Sequence, residues 1–417
     1  MDKQLLWEKL IEINEDIDNH YDLYNQVGGL AGLSGLALFK FYYSKLIDNP
    51  NEKKKGEEIL KRCIENINNG FSYPTYCAGL AGMGWVLDHL KEGGFIYNEC
   101  DDMLFQLDGY LNQIMTTNIK DGKFDFLHEA LGYAFYFLNR YKTTSNTHMK
   151  LLYQSSLLDF VKNLKEQSKR NKLSNSVEWI SVLDYQGKTR GYNLSLSHGI
   201  SSIIGFLARL HRQDFFTDEC EDLLNGSVEF VLSYMGRSAN GISVFPDWIS
   251  LKGQPLNVPS RLGWCYGDLG IGISLWSAYK STGQQKIKDA SIHVFKESSK
   301  RKSYEQNLVV DAGLCHGSFG ISQIYNRMYH EMKSISDDDM EIDFFLQEAN
   351  FWAYDGLTRA NHNGGFAGFK EWKGTAKRWV GSHFVLTGTA GIGLAIISNL
   401  STSSEFEPNW DACLMIA

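Results

Sequence analysis

Hydrophobic residues along this chain fall into two alternating patterns. One is amphipathic. In GEEILKRCIENI, the apolar positions Ile59, Leu60, Cys63, Ile64 and Ile67 follow the 3.6-residue period of a helix with one polar face. The other is apolar nearly all round and follows a Gly-x-x-Gly unit, which predicts a more completely buried helix. This second pattern reads GLAGLSGLALF from Gly29, GLAGMGWVL from Gly79, EALGYAFYFL from Glu129 and GISSIIGFL from Gly199. It continues as GDLGIGISLW from Gly267, GSFGISQIY from Gly317 and GTAGIGLAII from Gly388. The starts lie 50, 50, 70, 68, 50 and 71 residues apart. Two copies are degenerate, with Glu129 in place of the first Gly and Ser202 in place of the second.

Seven polar-faced helices paired with seven apolar ones predict seven helical hairpins. An open solenoid needs polar caps at its ends, yet the first and last units are as Gly-rich as the middle ones. The expected fold is therefore all-α: a closed α/α toroid (double α-barrel) of seven inner and seven outer helices, forming one domain over residues 1–417. Three of the spacings carry about 20 extra residues, which predicts short β-like rim inserts at approximately 168–193, 237–263 and 354–383. The glycines precede the inner helices, at the mouth. There Gly permits positive φ and close backbone approach, and helix N-termini present N–H groups.

Composition narrows the function. The 417 residues are 43% hydrophobic and 22% charged, as in a soluble globular protein, and 39 Gly against 6 Pro suits uninterrupted helices. A net charge of −8 lacks the footprint of a nucleic-acid binder. No apolar run reaches the roughly 18 residues of a membrane span. The N-terminal MDKQLLWEKLIEINEDI reads as an acidic amphipathic helix rather than a signal peptide. Seven Cys without a CxxC pair point to reduced thiols in a cytoplasm.

Candidate chemistry collects beside the glycines. Two residues before each first glycine stand Val27, Cys77, Leu127, Ser197, Cys265, Cys315 and Leu386. One before stand Gly28, Ala78, His128, His198, Tyr266, His316 and Thr387. Repeat symmetry should face these positions to a common centre. A single Cys here also fits a small buried apolar residue. The joint pattern of Cys265, Cys315 and His316 on adjacent repeats instead suits Zn²⁺, with a fourth coordination position left open. Cys77 has no His beside it and reads as structural or as an unused thiol. His198 is a candidate second-shell group or general acid/base. Asp125 begins the third mouth segment, where a helix-capping Asp is also common. Arg261 and Trp264 precede Cys265 by four and one residues; Arg261 could bind a carboxylate or steady an enolate.

The segments NLSLSHGISS (193–202), RLGWCYGDLG (261–270), GLCHGSFG (313–320), LTGTAGIGLA and WDACLMI resemble the lanthionine synthetase C-like (LanC) family, the lanthipeptide cyclases, over nearly the whole chain. The resemblance implies a double α-barrel, zinc held by Cys265, Cys315 and His316, and His198 as the acid/base histidine. It implies an active-site role for Asp125, in DFLHEALG, and for Arg261, Trp264 and Tyr266. Departures surround these positions: HGISS, HEALG and Asp268-Leu269 stand where the family usually has HGIPG or HGIAG, EGLSG and Gly-Pro. His128 is an extra imidazole with no assigned role.

The implied reaction is Michael addition of a precursor-peptide cysteine thiol to dehydroalanine or dehydrobutyrine, giving (methyl)lanthionine rings. The implied partners are a dehydrated precursor peptide with its leader, a dehydratase and a transporter. Two alternatives remain: a LanC-like protein that adds glutathione to dehydroamino acids, and a non-catalytic zinc scaffold for a dehydratase and precursor. An α/α-barrel glycosidase would want two paired carboxylates at the mouth.

Overall fold

The structure, a computed structural model, describes residues 3–97, 101–184, 186–239, 241–401 and 406–417. Tyr185 and Asn240, inside two of the expected inserts, lie outside the described residues. The chain divides into two compact units, 1–98 with 309–417 and 99–308.

In chain order, the first unit begins with α1 (Lys3–His20), α2 (Leu33–Ile47), α3 (Pro50–Asn68) and α4 (Leu80–Glu92). The second holds α5 (Asp101–Lys120), α6 (Ala130–Thr143), α7 (Thr147–Gln167), α8 (Ile200–His211) and α9 (Thr217–Leu232). It continues with α10 (Asp268–Thr282), α11 (Gln285–Ser298) and the single turn α12 (Tyr304–Asn307). The first unit resumes with α13 (Ser318–Ile335), α14 (Asp339–Thr358) and α15 (Thr389–Leu400).

The two hydrophobic patterns separate as expected. The helices that follow the glycines are interior: α8 buries 11 of its 12 residues and α15 all 12. Those before them bury one stripe, 5 of 20 residues in α5 and 5 of 20 in α14. The outer-type helices start on side-chain caps. The Asn49 side chain accepts from the Asn51 amide at 3.0 Å with Pro50 in the first turn, and that of Asn146 accepts from the His148 and Met149 amides.

The glycine helices start differently, without a side-chain cap. At Gly82 an added Cβ would lie 2.0 Å from the Tyr76 carbonyl oxygen, so the mouth segment folds onto the helix only with no side chain there. Gly267 adds a positive φ of 99°. Glu129 is tolerated in the first-glycine position because the backbone there is extended, φ −131° and ψ −153°.

The structure corrects the register of the first repeat. Its N-cap is Gly32 rather than Gly29. The residues two before each N-cap are then joined by backbone hydrogen bonds. In the first unit, Cys315 N donates to Leu386 O, Leu386 N to Leu30 O and Leu30 N to Cys77 O, at 2.8, 2.9 and 3.1 Å. In the second, Ser197 N donates to Cys265 O at 3.2 Å. Leu30 and Ala31, not Val27 and Gly28, therefore hold the equivalent positions. Within the first unit the chain's ends meet, since α15 packs on α1, α2 and α13. The tail seals this packing. The Trp410 indole donates to Ser398 Oγ at 2.9 Å, and buried Asp411 accepts from Gln323 Nε2 and Arg327 Nη2, both at 2.8 Å.

The inserts form short antiparallel strands. In the second unit these are β1 (Lys169–Arg170), β2 (Val177–Glu178), β3 (Ser181–Val182), β4 (Arg190–Asn193) and β5 (Trp248–Ser250). In the first unit they are β6 (Glu371–Lys373) and β7 (Arg378–Val380). The first two inserts are not separate hairpins. Strand β5 pairs with β4, with Asn193 opposite Trp248, so both contribute to one sheet β3-β4-β5.

Candidate functional site

Within the second unit, a cavity of about 520 Å³ opens beside the mouths of α6, α8 and α10. Its polar lining includes Asp125, His128, Glu129, His198, Asp247, Arg261 and Tyr266, so four of the expected site residues share one space.

Asp125 is held on both oxygens. Oδ1 accepts the Leu127 and His128 amides at 2.8 Å each, so the carboxylate fixes the turn ahead of α6 rather than capping the helix, whose N-cap is Glu129. Oδ2 pairs with Nδ1 of His198, 73 residues further on. Burial pushes the Asp125 carboxyl up, but the charges and hydrogen bonds of His198 and His128 outweigh it and hold the group below the ordinary carboxylate range. Burial alone would pull His198 down. Asp125, then Cys265 and Glu129, carry it above the usual histidine value. With Nδ1 engaged, Nε2 is the nitrogen left for chemistry. His128 stacks on His198, with ring centroids 6.3 Å apart, and is pushed down by burial and by the neighbouring imidazole.

Tyr266 accepts a hydrogen bond from Asn193 Nδ2 at 3.2 Å, packs edge-on to Trp248, and burial pushes its hydroxyl up to about 12. Arg261 is exposed at the rim of the cavity. Trp264 is fully buried and outside the cavity lining, so its place is in the packing beneath the loop. Cys265 is buried on the same loop, and its carbonyl accepts from both the amide and the hydroxyl of Ser197.

Sequence reasoning missed Asn193, Trp248 and Asp247. They come from inserts whose strands pair across more than 50 residues, and their letters alone carry no motif. Asp247 is the most consequential of the three. Burial, then Asp268 and Cys265, push its carboxyl up to about 7 against the Ser260 hydrogen bond. The unusual Asp268 is structural. Its oxygens accept the Val244 and Phe245 amides at 3.0 and 2.9 Å and the Arg301 guanidinium at 3.0 Å, tying the second insert to the start of α10.

Cys315 and His316 belong to the first unit, at the start of α13. His316 Nε2 lies 3.3 Å from buried Asp311 Oδ2. Burial raises the Asp311 carboxyl, and His316 with the Trp372 and Gly313 amides more than offsets it, leaving the group below its ordinary value. A carboxylate that holds one ring nitrogen and leaves the other to act as a ligand is the usual support of a zinc histidine. Two thiols and an imidazole so supported fit a zinc donor set.

The family model for lanthionine synthetase C-like protein matches residues 22–415. The chain belongs to that family. Among solved structures it is similar to nisin cyclase, at 15% identity, with 98% of this chain and 97% of that one covered and a TM-score of 0.72. At that identity the likeness speaks for the fold, an all-α one of paired helices as the repeats predicted. No curated protein matches by sequence. Among the described residues no helix is long and apolar enough to cross a membrane.

Proposed function

We propose that this LanC-like chain is a zinc-dependent lanthipeptide cyclase, with its repeats closed into an α/α ring and zinc held by Cys265, Cys315 and His316. The observation that carries the reading is the Asp125–His198 pair, fixed at the wall of a cavity large enough for a peptide side chain and its neighbours. The substrate is a dehydrated precursor peptide, with a dehydratase and a transporter as further partners. A cytoplasmic setting goes with the six described cysteines, none of which forms a disulfide.

Zinc, when bound, lowers the pKa of a substrate thiol so that it reacts as thiolate at neutral pH. The remaining work falls to the chain's own groups. The thiol S–H bond is lost, a C–S bond forms at Cβ of the dehydroamino acid, and the resulting enolate is protonated at Cα, so no oxidant or reductant is consumed. His198 Nε2 delivers that proton, and Asp125 orients the ring and stabilises its charged form. Arg261 faces the enolate oxygen, where a guanidinium offsets developing charge. Tyr266, Asn193 and Trp248 form the wall that positions the acceptor.

Ring closure leaves the peptide mass unchanged and consumes a thiol. The zinc-loaded protein should therefore abolish alkylation of a dehydrated, Cys-containing peptide without changing its mass. Zinc content with no thiol loss would instead indicate the scaffold, and faster consumption of glutathione than of the peptide thiol would indicate the glutathione-adding enzyme.

A further inference from the structure

A second cluster of ligand-type side chains lies in the first unit, apart from all the residues used above. Helix α1 ends on Asp16 and His20, one turn apart on the same face. The segment leading into α15 brings His383 against them. Donor atoms of Asp16, His20 and His383 all lie within 4.8 Å of one another.

His383 is fully buried, yet its Nε2 has no hydrogen-bond partner. It lies 3.6 Å from Asp16 Oδ2, which is also buried without a partner. That separation is too long for a good hydrogen bond. It is close to the ~3.4 Å edge of a tetrahedron with metal–ligand bonds of ~2.0–2.1 Å. The other ring nitrogens are already engaged. His383 Nδ1 bonds the Tyr24 hydroxyl at 2.6 Å, and His20 Nδ1 donates to the Asp16 carbonyl at 2.8 Å and lies 3.1 Å from Asp16 Oδ1, which fixes that carboxylate with Oδ2 towards His383. An oxygen on Nδ1 that leaves Nε2 to act as a ligand is the support that metal-bound histidines need. The two imidazoles stack at 5.4 Å, and Phe366 covers the buried ring at 3.7 Å.

We propose that Asp16, His20 and His383 form a second divalent-metal site that fastens α1 to the segment before α15. Two imidazoles and one carboxylate suit a borderline ion such as Zn²⁺ over Ca²⁺ or Mg²⁺. Three protein ligands leave a position for water on the side of His20, whose side chain is 37% exposed. The site joins the chain's first helix to its last helical pair, where α1 and α15 already pack together.

The test uses the full chain with the first ligand set removed, Cys265→Ala and Cys315→Ala with His316→Ala, stripped by chelator and titrated with Zn²⁺ or Co²⁺ alone. This variant is expected to retain one tightly bound ion per chain, and its cobalt form to absorb in the d–d region without thiolate charge transfer. Adding His20→Ala or Asp16→Asn should abolish that binding, and Tyr24→Phe should weaken it ~10–100-fold. His20 is partly exposed, so its variant keeps the fold, checked by circular dichroism. A folded protein without the first ligand set that binds no ion, or one that binds equally tightly after His20→Ala, would overturn the proposal. Neither result bears on the Cys265, Cys315 and His316 reading, which the zinc lost between wild type and Cys265→Ala tests separately.

Discussion

His198 Nδ1 hydrogen-bonds Asp125 Oδ2, while the other oxygen of that carboxylate caps two backbone amides. The imidazole is thus held by a group that is itself immobile. Asp125 raises the His198 pKa, so the stabilisation from this pair is complete below the ordinary histidine value and is lost as pH rises through the elevated one. Asp125→Asn should lower the His198 pKa, seen by NMR titration of its ring. The basic limb of kcat/KM should move to lower pH in parallel, with kcat down ~10²-fold. An unmoved limb would exclude His198 as the proton donor.

Metal retention and chemistry should separate by residue. Cys265→Ala or His316→Ala is expected to lose the thiolate-bound zinc and ring closure together. His198→Asn should keep that zinc and lose ring closure by ~10²–10⁴-fold. The measurements are metal content and thiol loss on a dehydrated peptide. Wild-type cyclisation by His198→Asn would rule out its proposed role.

The mouth glycines predict a contrast in stability. Gly82→Ala places a Cβ against the Tyr76 carbonyl and should cost about 1–3 kcal/mol or more by strain. Gly109, on the exposed face of α5, has nothing within 4 Å, and Gly109→Ala should gain about 0.5–1 kcal/mol. Urea denaturation of both variants measures the difference, and equal midpoints would refute the close-approach argument.

Asp268 offers a further test. Asp268→Ala strands the buried Arg301 and two amides, and should cost about 3–5 kcal/mol by chemical denaturation. A loss under 1 kcal/mol would mean that water or another acceptor replaces the carboxylate.

The alternation of polar-faced and apolar helices was legible in the letters, because 3.6-residue periodicity and the glycine before each buried helix are local properties of a chain. Asp125, His198, Arg261 and Tyr266, which line one cavity, were named from their place at the mouth segments and from the family resemblance. The register of the first repeat was not legible. Gly28, Gly29, Gly32 and Gly35 offer several alignments, and only the hydrogen bonds from Leu386 to Leu30 and from Leu30 to Cys77 choose among them. Likewise Asn193 and Trp248 reach the cavity because two inserts share one sheet, and Asp247 becomes a carboxyl near neutral pKa because burial surrounds it with Asp268 and Cys265. Asp16, His20 and His383 are ordinary residues in one dimension, separated by most of the chain. Periodicity sets which face of each helix is buried; which distant groups then meet, and with what ionisation, depends on packing between segments that no local pattern encodes.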